Sequence, residues 1–190
     1  MKKCFILASA SPWRKRLLKK HGIDARIHIS RFEEIKSGIP RDIVLYNACG
    51  KASAVASHYK KNAIIIGVDT IGVLCGKILG KPEGREGARK MLRSMSGTTH
   101  MVISGLCVID MASGKIFKTA VTTKITFNKI SAAELEKYLD SGHWKGKAGS
   151  YAIQGRARKF LKKIDGDLTN VIGLPIPTLI EILKRVTKKI

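Results

Sequence analysis

The sequence predicts an α/β fold, a single two-lobed domain over residues 1–190 with helices flanking an elongated, twisted, mixed β-sheet. Three observations predict it. Short apolar runs, Lys3–Ala8 and Ala63–Val68, are followed by stretches with helical spacing, which is the pattern of strand-helix units. Two long strand-like segments, Met101–Asp110 and Ile116–Phe127, stand next to each other with Ser113-Gly114 between them and read as an antiparallel pair. Apolar residues make up 44% of the 190 residues and aromatics only 6%, so the chain can bury a sizeable core and that core is aliphatic.

The elements follow in order. Lys3–Ala8 reads as a buried strand. Ser11-Pro12 starts a helix, since serine caps and proline suits the first helical position. That helix runs to about Lys20, and Gly22 ends it. A second strand is expected over Ala25–Ser30. Arg41–His58 is a helix, with Ile43, Ala48, Ala52 and Val55 at helical spacing. Ala63–Val68 is a buried strand ending in Asp69-Thr70, and Ile71–Leu79 is a hairpin turning at Cys75-Gly76. A helix runs from Glu83 to Met95. After the antiparallel pair, Ser131 and Glu134 form a capping box for a helix to Leu139. Residues 142–155 form a glycine-rich loop region. A last helix follows Pro175 and Pro177 and ends in a basic tail.

The formal charge of +22 suits polyanions: nucleic acid, phosphorylated ligands or anionic lipid. It equally suits a plain solvated basic surface. The few aromatic residues argue against base-stacking platforms. The four cysteines, at positions 4, 49, 75 and 107, have no metal-type spacing and read as free thiols in a reducing compartment. The basic start and short apolar run of residues 1–10 resemble an export signal, but Arg14, Lys15 and Arg16 follow at once and oppose export. No stretch has the length of a membrane span. A cytoplasmic protein is expected.

No P-loop, dinucleotide fingerprint, paired-histidine zinc motif or nucleophile elbow occurs. Four other features carry chemistry. In "LASASPWRKRLLKK", Ser9 and Ser11 lie at a helix N-terminus and Arg14 in its first turn. The helix end, the hydroxyls and the guanidinium together suit a phosphate, and they suit a capped surface helix equally well. In "GVDT", Asp69 ends a buried strand, where a carboxylate can hold Mg²⁺ or take a proton from water, or simply form a turn. In "GKP", Lys81 is either a polyphosphate contact or an exposed turn residue. In "AIQG", Gln154 either reads a base edge or is a polar loop residue. Glu33 and Glu34 are an acidic pair that can serve a metal or a water.

These motifs, in order, resemble the Maf family of nucleotide pyrophosphatases. The resemblance runs from Ile6 to about Leu183, through "LASASPWRKRLL", "GVDTIGVLCGKILGKP", "SGTTHMVISG", "KAGSYAIQG" and "KKIDGDLTNVIGLPI". It implies the fold of the inosine triphosphate pyrophosphatases (Maf/Ham1) with a central nucleotide cleft. It implies hydrolysis of a nucleoside triphosphate to monophosphate and diphosphate with Mg²⁺ or Mn²⁺, a house-cleaning role, a link to cell-division arrest, and a homodimer. On that resemblance Asp69 is the proton acceptor and a metal ligand. Ser9, Arg14, Lys51 and Lys81 hold the phosphates, and Glu33 assists at the metal or water. Residues 13, 70 and 154 set substrate choice: Thr70 and Gln154 resemble the dTTP/UTP branch, and Trp13 the 7-methylguanosine triphosphate branch, whose cationic base a ring face would attract. Two of three favour dTTP and UTP. The alternatives are a 7-methyl-GTP pyrophosphatase and a basic nucleic-acid-binding protein with an inactive site.

Overall fold

The computed structural model describes residues 3–60 and 62–187. The chain gathers into two compact units. One is drawn from the described residues of Met1–Thr70, Ser104–Val121 and Gly173–Ile190, and the other from Ile71–Ile103 and Thr122–Ile172.

The first unit opens with strand β1 (Cys4–Leu7), helix α1 (Pro12–Lys20), strand β2 (Ala25–Ile27) and helix α2 (Pro40–Ala56). Ser11 caps α1 by accepting from the Arg14 N–H, and Pro12 takes the first turn, where a missing N–H costs nothing. Strand β3 (Ala63–Leu74) starts in this unit. β1 pairs parallel with β2, Phe5 opposite Ala25, and parallel with β3, Phe5 opposite Ile64. Strand β5 (Thr99–Asp110) ends in this unit and β6 (Ile116–Phe127) begins there. Helix α6 (Ile176–Thr187) closes it. The inner face of α2 packs Ala48, Ala52 and Val55 on Ile6, Ile65, Cys107 and Ile109. Two glycines allow this approach. A Cβ on Gly67 would overlap the carbonyl oxygen of Ala48, and one on Gly105 would overlap that of Val44.

The second unit holds strand β4 (Lys77–Leu79), helix α3 (Gly84–Met95), helix α4 (Ala132–Asp140), strand β7 (Leu161–Asp165) and helix α5 (Leu168–Ile172). Its core is Leu92, Met95, Phe127, Leu135, Tyr138, Trp144 and Phe160. The capping box of Ser131 and Glu134 is present at the start of α4. β3 and β4 pair antiparallel through the turn at Cys75 and Gly76, both at positive φ. The sheet order is β2-β1-β3-β5-β6-β7, with β4 on β3 outside that path. The architecture is the expected α/β fold with a mixed sheet. No helix among the described residues is long and apolar enough to cross a membrane.

Several boundaries differ from the sequence expectation, and two elements are added to it. β3 does not end at Asp69-Thr70 but continues to Leu74 and pairs with β4. β2 is three residues rather than six. α6 begins at Ile176, so Pro177 lies inside its first turn, where its missing N–H is tolerated. β7 and α5 were not foreseen. β7 carries exposed Lys162 and Lys163 without regular alternation, and it is a strand because β6 supplies its partner, Ile164 opposite Ile125.

Candidate active site

β1 stops at Leu7, opposite Ile66 of β3, and the Ala8 N–H donates to the Ile66 carbonyl. β3 runs on without that neighbour. Asp69 therefore sits at the carboxyl end of the parallel pairing, where open α/β sheets bind ligands, although the strand itself continues past it. Two groups of side chains assemble there.

The first is built on Asp69, which is buried. Its Oδ1 accepts from Lys51 Nζ at 2.7 Å, and its Oδ2 accepts from Asn47 Nδ2 at 3.0 Å. Asn47 and Lys51 are four apart on α2, hence on one face. Lys51 Nζ also meets Glu34 Oε1 at 2.7 Å. Glu34 comes from the extended segment before α2, and two contacts fix that segment. Asn47 Oδ1 accepts from the Ile35 N–H and Asn47 Nδ2 donates to the Ile35 carbonyl. The Phe32 ring lies so close to Gly50 that no Cβ fits there. Of the acidic pair, Glu34 meets Lys51, and both Glu33 and Glu34 are exposed. Successive residues of an extended segment point to opposite sides, so only one of an adjacent pair can turn inward.

The second group is built on Arg14. Nε donates to the Gly173 carbonyl at 2.7 Å, Nη1 to Ser9 Oγ at 2.9 Å and to the Val68 carbonyl at 3.1 Å, and Nη2 to Thr70 Oγ1 at 3.0 Å. Thr70 Oγ1 in turn lies 2.8 Å from Ser104 Oγ and donates to the Gly173 carbonyl at 3.2 Å. Four of the five guanidinium N–H groups are thus engaged, and one on Nη2 is free of these bonds. Burial pushes the Arg14 guanidinium below its usual range, while Asp69 and Glu34 pull it up. Gly173 adopts φ +117, and a Cβ added there would lie 3.6 Å from Arg14 Nε.

The structure thus brings Asp69 together with Lys51, and Ser9 and Arg14 together with Thr70. Ser11 serves as the α1 cap, and its N–H donates to Ser9 Oγ at 3.3 Å. Trp13 is exposed on the first turn of α1, with the Arg16 guanidinium 4.9 Å over its ring. Lys81 and Gln154 belong to the second unit; Lys81 is exposed and Gln154 half-buried. Sequence reasoning missed Asn47, Ser104 and the Gly173 carbonyl. Asn47 had a signal, its four-residue spacing from Lys51. The other two had none, because only the fold brings them to Thr70.

A family profile described as "Maf-like protein" matches residues 4–186. A dTTP/UTP pyrophosphatase of Pelotomaculum thermopropionicum is 42% identical over 182 residues, 95% of each chain. One from Dictyoglomus thermophilum is 40% identical over 188 residues, 97% of each. One from Pyrococcus abyssi is 42% identical over 180 residues, 94% of each. Among solved structures, the Ham1 protein of Staphylococcus aureus aligns with a TM-score of 0.43 at 19% identity, over 65% of this chain and 72% of that one.

Proposed function

The chain belongs to the Maf family, and on that premise we propose that it is a pyrophosphatase hydrolysing dTTP and UTP to the monophosphate and diphosphate, in a house-cleaning role on the nucleotide pool. The observation that carries the reading is Asp69, a buried carboxylate braced at both oxygens at the open end of the parallel strands. The names of the relatives supply the substrates.

Asp69 is the general base. It takes a proton from the attacking water as the α,β-anhydride breaks and the diphosphate leaves. Lys51 offsets the cost of burying that carboxylate, and with Asn47 fixes its orientation. Arg14 presents its remaining Nη2 N–H and its charge to the phosphates, held in place by Ser9, Thr70 and Gly173. The free N–H groups at the start of α1 add a partial positive charge there. Lys81 is assigned to phosphate and Gln154 to the base by the motif pattern, and Gln154 offers both a donor and an acceptor to a pyrimidine edge.

A divalent cation, Mg²⁺ or Mn²⁺, fits the donor set. Glu34 and Asp69 are the two carboxylates at this point, and an ion held by them shares them with the Lys51 ammonium, 2.7 Å from each. Hard oxygen donors of this kind, one or two with substrate phosphates, suit Mg²⁺. Glu34 and Asp69 would hold the ion, which when bound neutralises developing charge on the phosphates.

Trp13 does not redirect the reading to 7-methylguanosine triphosphate. The Arg16 guanidinium stands over its ring, so a cationic base stacking on that face would meet like charge. Anion-exchange chromatography of the products from dTTP tests the reaction class. Equal amounts of monophosphate and diphosphate are expected. Stepwise release of single phosphates would overturn it.

A further inference from the structure

Ser104 of β5 is completely buried. Its Oγ lies 2.8 Å from Thr70 Oγ1 and has no other polar partner among the described residues. Thr70 Oγ1 has two further neighbours, Arg14 Nη2 at 3.0 Å and the Gly173 carbonyl at 3.2 Å. A hydroxyl has one proton and two lone pairs. The guanidinium can only donate, so it takes one lone pair. The carbonyl can only accept, so it takes the proton. Ser104 therefore donates to the second lone pair. The opposite direction would leave the Ser104 proton buried without an acceptor, which is costly. The chain of donors thus runs from Ser104 to Thr70 to the Gly173 carbonyl, which also accepts from Arg14 Nε at 2.7 Å.

Thr70 then has no bonding capacity left. Its proton and both lone pairs are engaged inside the protein, so its hydroxyl does not read a nucleobase. We infer that Ser104 is a positioning residue for Arg14, acting through Thr70, and that position 70 serves the grip on the phosphates and not the choice of base. The effect on substrate rests on the pyrophosphatase reading, whereas the order of the hydrogen bonds does not.

Arg14 Nε, Arg14 Nη2, Thr70 Oγ1 and the Gly173 carbonyl close a ring of hydrogen bonds, and Ser104 joins it from the buried side. Hydrogen bonds in a chain polarise one another, so a hydroxyl that accepts a bond becomes a better donor. Ser104 thereby strengthens the bond from Thr70 to Gly173. It also fixes the Thr70 side chain, which keeps a lone pair of Oγ1 on Arg14 Nη2. The guanidinium is planar, and Ser9 and the Val68 carbonyl hold Nη1 in that plane. With one N–H of Nη2 held on Thr70, the other has a single direction, and it is the one left for a phosphate. Without the Ser104 hydroxyl this N–H loses its aim. Every nucleoside triphosphate carries the phosphates, so all substrates lose alike.

The test is Ser104→Ala in the full chain, with kcat/KM measured for dTTP, UTP and CTP. All three are expected to fall by the same factor, about 3–10-fold, the scale of one neutral hydrogen bond. Thr70→Val is expected to lower them in the same uniform way. Ser104→Ala added to Thr70→Val is expected to lower them no further, because the two act in series. A loss confined to one base would overturn the inference, as would a Ser104→Ala loss that adds in full to that of Thr70→Val. A second readout needs no turnover: exchange of the Arg14 Nε–H proton with water, followed by NMR. It is expected to speed up in Ser104→Ala by the same factor, about 3–10-fold, and an unchanged rate would overturn the positioning role. If the native chain turns over no nucleotide, the pyrophosphatase reading fails, and the exchange rate still decides whether Ser104 holds the guanidinium.

Discussion

Lys51 and Asp69, eighteen positions apart, meet as a buried ion pair with Nζ 2.7 Å from Oδ1. Among the described residues, Lys51 is the cation paired with Asp69, and the more exposed Glu34 is the other carboxylate paired with Lys51. Removing Lys51 strands a buried carboxylate, whereas removing the Asp69 charge leaves Lys51 with Glu34.

Lys51→Met is therefore expected to destabilise the fold by about 3–5 kcal/mol, measured by urea denaturation. Asp69→Asn leaves Lys51 paired with Glu34 and is expected to fold nearly as well as the native protein. Its turnover should nonetheless fall about 10²–10⁴-fold, the range for a lost general base. A folded Asp69→Asn variant with native turnover would remove Asp69 from the proposed role.

Arg14→Lys is expected to behave almost as badly as Arg14→Ala. A single ammonium cannot span the Gly173 and Val68 carbonyls, Ser9 and Thr70 at once. Each orphaned carbonyl costs about 1–3 kcal/mol. Both melting temperature and KM should shift, and a lysine variant with native values of both would refute the clamp.

Gly67→Ala and Gly50→Ala separate the two supports of the carboxylate pair. A methyl at 67 overlaps the Ala48 carbonyl and lifts α2 with Asn47 and Lys51. A methyl at 50 displaces the Phe32 ring and with it the segment carrying Glu34. Each should cost about 1–3 kcal/mol by overpacking. Gly67→Ala should lower kcat. Gly50→Ala should raise the Mg²⁺ concentration needed for half-maximal rate while sparing the Asp69 brace. Identical kinetic profiles would contradict the assignment of Glu34.

Much of this site is legible in the sequence, for local reasons. Ser9, Ser11 and Arg14 lie within one strand-to-helix junction, so spacing alone places them together. Asp69 follows the most apolar run in the chain. Asn47 is readable from Lys51 once α2 is assigned. Glu34 is not, because an extended segment without periodicity does not reveal which of two adjacent carboxylates turns inward. Nor is the value of Gly50, which lies in a ring eighteen residues upstream. β7 stays hidden because an edge strand rich in lysine carries the pattern of a charged loop.

His100 gives the second unit an acid limit. It is buried, 2.7 Å from the Tyr151 hydroxyl through Nε2, and burial pushes it from 6.5 down to about 4. The unfolded chain therefore binds a proton that the folded one refuses between pH 6.5 and 4. Stability falls as pH drops through that window, by about 3 kcal/mol in all. Denaturation midpoints from pH 7 to 4 should show this slope, and His100→Gln should flatten it. An unchanged slope in the variant would place the acid sensitivity elsewhere.

The central claim is that Asp69 drives pyrophosphate release from pyrimidine nucleotides, and the most direct measurement is steady-state release from dTTP, UTP, CTP, ITP and 7-methylguanosine triphosphate with Mg²⁺ or Mn²⁺, for the native chain and Asp69→Asn side by side. The account predicts preference for dTTP and UTP in the native protein and collapse of both rates in the variant. Preference for the methylated guanine, or no release from any nucleotide, would contradict it.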